Sequence, residues 1–225
     1  MSGFGWALHR KSQYSPRTAV DPYAIIGRIM TVGLVLFDTA IGRCGIAWGE
    51  RGLLGVQLPE SSDAATWARL RKKAPAALDM VPPEKVAHAC NAMTSLLCGE
   101  AIDLSFIAVD LTDVPDFNRS VYAVAREIAP GETLTYGDIA VRLGDKMLSR
   151  AVGQALGQNP FPIVIPCHRV LAANGKTGGF SANGGVTTKF RMLAIERARI
   201  GGQHSDDAPM LFEPELSVAP RRRRT

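Results

Sequence analysis

The sequence predicts two domains: a small α/β domain, in which helices accompany a β-sheet, over residues 29–112, and a mostly α-helical domain over residues 113–202. Three short apolar segments separated by glycines predict the sheet, because this punctuation is typical of a β-meander. Apolar residues at helical spacing, stopped by Gly and Pro, predict the helical domain. Residues 1–28 are expected to be a weakly ordered extension, and residues 203–225 a disordered tail with four arginines near its end.

The first domain begins with three predicted strands, Val32 to Phe37, Cys44 to Trp48 and Gly52 to Leu58. A polar helix is expected from Ser62 to Ala74. A second helix follows Pro82-Pro83, carries apolar residues at helical spacing and stops at Gly99. Alternating apolar residues over 104–108 then predict a further strand.

The second domain opens with a predicted helix from Phe117 to Ile128. Thr135 is predicted to cap a short helix that Gly144 closes, and Ser149 to cap another that runs to Gly157. Two short helices joined by a tight link form a helix-turn-helix pattern. Pattern alone favours an ordinary helical hairpin, because most such hairpins bind no DNA.

Cys167 and His168 stand side by side after an apolar run, Ile163 to Pro166, that is expected to be extended and buried. A cysteine becomes a strong nucleophile when its thiolate is favoured, and a nearby histidine can favour it. Neighbours in a strand point to opposite faces, so this pair needs a turn to act together. Glu196, on a last helix predicted over residues 188–200, is the best-placed carboxylate to orient the imidazole.

Charge is distributed unevenly along a chain whose net charge is +5. Residues 29–114 carry 7 Lys/Arg and 10 Asp/Glu, whereas residues 115–200 carry 11 and 6. A basic second half suits a surface that meets phosphates. A solvated surface rich in arginine gives the same balance, so charge alone does not decide between the two.

The four cysteines have neither zinc-ribbon nor redox-motif spacing. Without a secretion signal they indicate reduced thiols of a cytoplasmic or nucleoid-associated protein, nuclear in a eukaryote. Cys44, Cys90 and Cys98 are expected to be small buried hydrophobes, and a metal site built from Cys90, Cys98 and a distant histidine is the less favoured alternative. No metal or cofactor is predicted. No window is as long as a membrane span, so no membrane partner is expected.

Several motifs follow one another in the second domain: Pro130 to Ala140, Arg150 to Gly153, Asn159-Pro160, Ile165 to Val170, Gly178 to Ser181, Lys189, and Leu193 to Glu196. In this order they resemble the O6-alkylguanine-DNA alkyltransferases. The resemblance covers residues 115–200, while residues 29–110 fit the family's N-terminal domain in order and size only. It implies a ribonuclease-H-like first domain and a winged-helix-like second domain.

The resemblance implies a monomeric DNA repair protein that acts once on double-stranded DNA containing O6-alkylguanine, and also on O4-alkylthymine. The damaged base is expected to leave the duplex, because the alkylated oxygen is not accessible to in-line attack inside it. The Cys167 thiolate then attacks the alkyl carbon and keeps the alkyl group. His168, Glu196 and a water are expected to draw off the thiol proton.

The resemblance also implies roles for residues around the thiol. Asn159 braces the helix-turn-helix against the active-site segment, and Arg150 enters the base stack in place of the flipped nucleotide. Tyr136 contacts the phosphate beside that nucleotide and donates a proton towards the departing guanine. The remaining DNA-contacting residues are Thr135, Ala151 and Gly153. The expected pocket residues are Arg169, Val170, Phe180 and Ser181.

Each of these residues also has an ordinary structural interpretation. Tyr136 could simply pack on the first helix of the pair, and Asn159 before proline is a common turn residue. Arg169 is expected to tie segments together by hydrogen bonds rather than to take part in the chemistry. Ser181 could be part of the loop and nothing more.

Two departures from the family pattern lie on the expected pocket wall. Phe180 stands where many relatives have a tyrosine, which keeps the ring and removes the hydroxyl. The loop from Ser181 to Gly185 is longer than the short Ser/Ala-Gly-Gly form. Both bear on the size of the alkyl group accepted and leave the thiol chemistry unaffected.

Three other functions are alternatives. A damage-binding protein of the same fold would flag alkylguanine without repair, but relatives that only bind lack a cysteine at the position of Cys167. A cysteine hydrolase requires turnover, whereas an S-alkyl thioether is not hydrolysed. A transcription regulator would read sequence weakly with a single helix-turn-helix and no dimer symmetry.

Overall fold

The structure is a computed structural model that describes residues 32–173 and 178–199. The predictions made for residues 1–28 and 203–225 lie outside the described residues. Within the described part, no helix has the length and apolar character needed to cross a membrane.

The first domain is built on a four-stranded sheet in the order β3-β2-β1-β4. Its strands are β1 (Gly33–Thr39), β2 (Gly42–Gly49), β3 (Gly52–Gln57) and β4 (Leu78–Asp79). Strands β1, β2 and β3 form an antiparallel meander, and β4 pairs with β1 in parallel. Gly42 and Gly52 have φ of 121° and 137° at the two reversals, where a side chain would be strained. The predicted meander is confirmed.

Two helices, α1 (Asp63–Lys73) and α2 (Glu84–Leu97), accompany the sheet close to their predicted bounds. The Ser62 side chain caps α1 by accepting a hydrogen bond from Ala65 N at 3.2 Å. Leu70 of α1 packs with Leu34 and Ala47 of the sheet. The apolar face of each helix therefore points into the domain core, as its spacing predicts.

A bend replaces the strand predicted over residues 104–108, so that prediction is wrong. The N–H of Ile107 donates to Leu104 O at 3.1 Å and closes a turn, while Phe106 lies half exposed. The Arg126 guanidinium binds three carbonyl oxygens of this bend. These carbonyls are satisfied by a side chain instead of a strand partner, which alternating hydrophobicity does not reveal.

The described part of the second domain contains four α-helices and a two-stranded parallel sheet. The helices are α3 (Asp116–Arg126), α4 (Tyr136–Arg142), α5 (Ser149–Gly157) and α6 (Val186–Ile195). The strands are β5 (Leu134–Thr135) and β6 (Val170–Leu171). The larger apolar cluster extends through both domains, with Ile46, Met93, Val121 and Ile165 among its fully buried members.

Helices α4 and α5 form the predicted helix-turn-helix pattern, joined by a 3₁₀ turn over Lys146–Leu148. Thr135 caps α4 in a capping box with Asp138, with hydrogen bonds of 3.1 and 2.7 Å. The predicted cap at Ser149 is wrong, because the 3₁₀ turn runs directly into α5 and places Ser149 inside it. Asp145 caps the turn instead.

The apolar run before Cys167 is buried, as predicted, but it is not extended. Ile165 N donates to Phe161 O at 2.8 Å, and Ile163 has a φ of 76°, so the chain turns here. A left-handed conformation is unfavourable for a β-branched residue, and no sequence rule anticipates it.

Helix α6 begins and ends earlier than the predicted range of 188–200. Glu196 is its C-cap residue and not a member of the helix, and Arg197 leaves the helix with a φ of 52°. This end of α6 presents the Glu196 carboxylate to the segment that carries Cys167.

Candidate active site

Cys167 begins a 3₁₀ turn, Cys167–Arg169, directly after Pro166. Arg169 N donates to Pro166 O at 2.9 Å and closes the turn. Because a turn replaces a strand here, Cys167 and His168 are not forced onto opposite faces. Cys167 is partly exposed in a cavity of about 330 Å³, whereas His168 is fully buried.

Glu196 joins His168 and Arg169 in a buried cluster. Its Oε1 lies 3.0 Å from His168 Nε2 and accepts a hydrogen bond from Arg169 Nη2 at 2.9 Å. Its Oε2 accepts from Arg169 Nε at 2.8 Å, which makes the Arg169 pair bidentate. Arg169 Nη1 also donates to Ile128 O at 2.6 Å. The cluster thus ties the segment that follows α3, the C-cap of α6 and the 3₁₀ turn together.

The protonation states in this cluster follow from burial and pairing. Burial lowers the pKa of His168, so its imidazole is neutral near neutral pH. Burial alone would raise the pKa of Glu196, but its interactions with His168 and Arg169 outweigh that effect and hold the pKa at about 2. The carboxylate therefore accepts from His168 Nε2–H, which leaves the lone pair on Nδ1. Nδ1 is buried and has no hydrogen-bond partner among the described residues.

Asn159 connects the end of α5 to the turn that carries Cys167. Its Nδ2 donates to Ile165 O at 2.8 Å, and its Oδ1 accepts from Phe161 N at 2.9 Å. These contacts hold the segment between α5 and Cys167 in its turned conformation.

The thiol of Cys167 is held in its neutral form at rest. Burial raises the pKa of Cys167 above its ordinary value. The Asn159 side chain, the charge of Lys189 and two backbone N–H groups act in the opposite direction. Because the net shift is upward, Cys167 needs a base to become a thiolate.

Lys189 of α6 is a fully buried lysine beside the site. Its Nζ donates to Val170 O at 2.6 Å and lies 6.0 Å from the centre of the Tyr136 ring. Burial lowers the pKa of Lys189 to about 8, so it still carries a charge near neutral pH. No role for Lys189 is predicted from the sequence, although it belongs to the ordered motifs of the second domain.

The predicted DNA-contacting residues gather on the surface of α4 and α5. A second cavity there is lined by Thr135, Tyr136, Lys146, Ser149 and Arg150, among others. Arg150 and Lys146 are exposed, which makes this surface cationic. Ala151 and Gly153 lie half-buried on α5, and a Cβ at Gly153 would stand 3.8 Å from the Tyr136 ring, an ordinary contact.

The four predicted pocket residues separate into two pairs. Phe180 and Ser181 line the cavity of Cys167. Arg169 and Val170 are not among the described residues that line this cavity. Arg169 binds Glu196 instead, and the Val170 carbonyl accepts a hydrogen bond from Lys189. These contacts fit the structural interpretation of Arg169.

Four residues of the first domain line the same cavity, and no role is predicted for them from the sequence: Gln57, Leu58, Arg69 and Lys73. They reach it because α1 and β3 pack next to the Asn159-Pro160 segment, where Val56 N donates to Pro160 O at 2.9 Å. The sequence spacing of these residues does not predict that they line the cavity. Arg69, for example, contacts Ser181, which is about a hundred positions away and is brought near only by the tertiary fold.

The other cysteines lie away from this chemistry. Burial raises the pKa of Cys44 to about 12 and that of Cys90 to about 11, so both are inert thiols. Cys98 is exposed, contrary to the expectation that it is buried. Within residues 32–173 and 178–199, no three Cys, His, Asp or Glu side chains are arranged to hold a metal ion.

Known proteins of one family are similar to this chain. Residues 116–198 match the sequence model described as 6-O-methylguanine DNA methyltransferase, DNA binding domain. The methylated-DNA–protein-cysteine methyltransferase of Methanothermobacter thermautotrophicus is 33% identical over 159 residues, which cover 71% of this chain and 82% of that protein.

Two solved structures are similar throughout most of their length. The Mycobacterium tuberculosis OGT in complex with DNA is 30% identical, with a TM-score of 0.55 over 73% of this chain and 93% of that one. The O6-methylguanine-DNA methyltransferase of Pyrococcus kodakaraensis is 28% identical, with a TM-score of 0.56 over 74% and 99%. The chain belongs to the methylated-DNA–protein-cysteine methyltransferase family.

Proposed function

We propose that this protein repairs DNA by transferring the alkyl group of O6-alkylguanine, and of O4-alkylthymine, to Cys167 once per molecule. The observation that carries the proposal is the arrangement of three residues: Cys167 in a cavity, His168 next to it in one turn, and Glu196 bonded to the far nitrogen of His168. A thiol whose pKa is raised by burial requires such a base.

The proton of Cys167 passes to His168 Nδ1 in this proposal, through a water. Nδ1 is the free acceptor of the imidazole, because Nε2–H is engaged by Glu196. The Glu196 carboxylate stabilises the imidazolium that results, as the carboxylate of a catalytic triad does. Asn159 and Lys189 lower the free energy of the thiolate as it forms.

The thiolate then attacks the alkyl carbon in line. The carbon–oxygen bond breaks, its electron pair stays on the guanine, and a carbon–sulfur bond forms. Tyr136, whose pKa burial raises, keeps its phenol proton and is the candidate donor to the departing base. The thioether that forms has no route back to a thiol, so each molecule acts once.

Double-stranded DNA binds to α4 and α5 in this proposal, and the protein acts as a monomer. The M. tuberculosis relative was solved in complex with DNA, and the cationic surface around Arg150 and Lys146 suits a phosphate backbone. The target base leaves the duplex to reach Cys167, and Arg150 takes its place in the stack. A winged-helix-like arrangement of this domain would accompany such binding.

Mass spectrometry after incubation with duplex DNA containing O6-methylguanine tests the proposal. One methyl group is expected on the peptide that contains Cys167, in a single stoichiometric turnover. Cys167→Ala should abolish transfer, and the matched variant Cys98→Ala, at an exposed cysteine, should not change it. Tight binding of the damaged DNA without any methylated peptide would instead indicate a damage-binding protein.

A further inference from the structure

Lys73, the last residue of α1, places its ammonium group where the two domains meet. Its Nζ donates to Val56 O at 2.6 Å and to Pro160 O at 3.4 Å. The same side chain lines the cavity that contains Cys167. The first domain therefore contributes a cation to the wall of the catalytic cavity.

This cation has no carboxylate partner among the described residues. Glu60 instead pairs with Arg69 at 3.1 Å and accepts a hydrogen bond from Gln57 at 3.0 Å. Burial lowers the pKa of Lys73 to about 8, and the nearby Arg69 charge adds to that, while a Cys167 thiolate and, more weakly, the Glu60 carboxylate act against it. Two of the three ammonium hydrogens reach carbonyl oxygens, which leaves one donor for a ligand.

A partly buried ammonium group that no carboxylate contacts is well placed to pair with an anion that enters its cavity. The group that enters this cavity is the alkyl substituent on its way to Cys167. Building on the proposed function, we propose that Lys73 binds O6-alkyl groups that end in a carboxylate, and that it favours their transfer over that of neutral groups of the same shape. Arg69, exposed and paired with Glu60, adds positive potential at the rim.

The reaction with O6-carboxymethylguanine illustrates why a cation matters. The sulfur of Cys167 bonds to the methylene carbon, the bond from that carbon to O6 breaks, and its electron pair stays on the guanine, which takes up the proton. The product is S-carboxymethylcysteine. A thiolate that approaches a carbon bearing a carboxylate meets like-charge repulsion, and the Lys73 ammonium offsets it at short range in a partly dry cavity.

The rest of the cavity accepts the uncharged part of such a group. Phe180, Pro162 and Leu156 provide apolar walls near Cys167. Methyl transfer needs no contact with Lys73, so the proposed activity on O6-methylguanine does not depend on this role. If Lys73 served only to hold α1 against Pro160, its replacement would instead slow transfer from every substrate equally.

Single-turnover transfer from two synthetic duplexes tests the proposal. One duplex contains O6-carboxymethylguanine and the other O6-carbamoylmethylguanine, which has the same shape and no charge. The measured quantity is the ratio of the two rates, anionic over neutral. Lys73→Met is expected to lower this ratio about tenfold relative to the unchanged protein, a difference of about 1.4 kcal/mol. Lys73→Arg should retain most of the ratio.

Two further variants separate charge from folding. Lys73→Gln keeps a donor for the carbonyl oxygens of Val56 and Pro160 while it removes the charge, and it should lower the ratio as Lys73→Met does. Lys72→Met removes an exposed lysine from the same helix and should leave the ratio unchanged. Equal losses on both duplexes in the Lys73 variants would overturn the proposal, as would an unchanged ratio. Methyl transfer by the unchanged protein, measured in parallel, tests the proposed function separately.

Discussion

His168 Nε2 and Glu196 Oε1 lie 3.0 Å apart, with both side chains almost completely buried. This contact fixes the tautomer of a neutral imidazole, because a carboxylate can only accept. It also bears on how a candidate nucleophile and base can act together although they are neighbours in sequence. The 3₁₀ turn frees them from opposite faces, and Glu196 holds the imidazole with its free nitrogen available.

Glu196→Gln should slow alkyl transfer by about 10²-fold, the usual contribution of a positioned acid–base group. The amide no longer stabilises an imidazolium at His168. It also leaves the buried Arg169 guanidinium without its counter-ion, which should lower the free energy of unfolding by about 3 kcal/mol or more. Single-turnover kinetics and urea denaturation measure the two effects.

A double variant separates catalysis from stability in this cluster. Arg169→Met combined with Glu196→Gln removes both charges, so most of the lost stability should return while transfer stays slow. Glu127→Gln, at an exposed carboxylate, is the matched control and should change neither quantity. Normal transfer in the double variant would contradict the role given to Glu196.

Acid should destabilise the fold through the same cluster. The folded pKa of Glu196, about 2, is below its ordinary value of 4.5, so its contribution is complete above pH 4.5 and is lost as pH falls towards 2. The lowered pKa of His168 acts with the same sign from its ordinary value of 6.5 downwards. Thermal unfolding between pH 7 and 3 should show a steeper decrease for the unchanged protein than for the double variant. Parallel pH profiles would contradict this account.

The meander, the helix-turn-helix and the proximity of His168 and Glu196 could be predicted because each depends on a recognisable sequence signal. Glycine spacing predicts the reversals at Gly42 and Gly52, and Thr135, directly before an apolar helical pattern, predicts the cap of α4. Cys167, His168 and Glu196 could be selected because their residue types can supply a thiol nucleophile, a base and a carboxylate that orients the base. Their motif order supplied the family.

The features that could not be predicted depend on contacts distant in sequence. The 104–108 segment alternates like a strand, but Arg126 binds its carbonyls and holds a bend. Ile163 adopts a left-handed conformation that its side chain disfavours, because the hydrogen bonds of Asn159 hold the surrounding turn. Lys73 reaches the cavity only because the two domains pack together.

Gly178 should be intolerant of a side chain, unlike its neighbour Gly179. A Cβ at Gly178 would stand 2.7 Å from Cε2 of Tyr136, so the ring must move, whereas a Cβ at Gly179 would meet nothing within 4 Å. Neither glycine has a positive φ, so the two substitutions differ in space and not in backbone strain. Gly178→Ala is expected to slow transfer from duplex DNA by about tenfold, or about 1.4 kcal/mol.

Gly179→Ala is the control for this prediction and should transfer at the unchanged rate. Single-turnover kinetics at saturating DNA measures both variants. The double variant with Tyr136→Phe and Gly178→Ala should transfer the alkyl group only slightly more slowly than either single variant, because both changes act on the same phenol. Full additivity would indicate that Gly178 acts independently of Tyr136.

Arg150→Ala should weaken repair of duplex DNA far more than transfer from the free base O6-methylguanine. Arg150 is exposed on α5 at the cavity shared with Tyr136, and in the proposed mechanism it fills the space that a flipped nucleotide leaves. The free base needs no flipping, so its transfer depends only on the cavity of Cys167. Lys146→Ala removes a charge from the same surface and provides the comparison. It should lower DNA affinity in a salt-dependent way and leave the rate at saturating DNA unchanged. Equal losses on duplex and free base for Arg150→Ala would argue against the flipping role, because they would place its effect within the chemistry at Cys167.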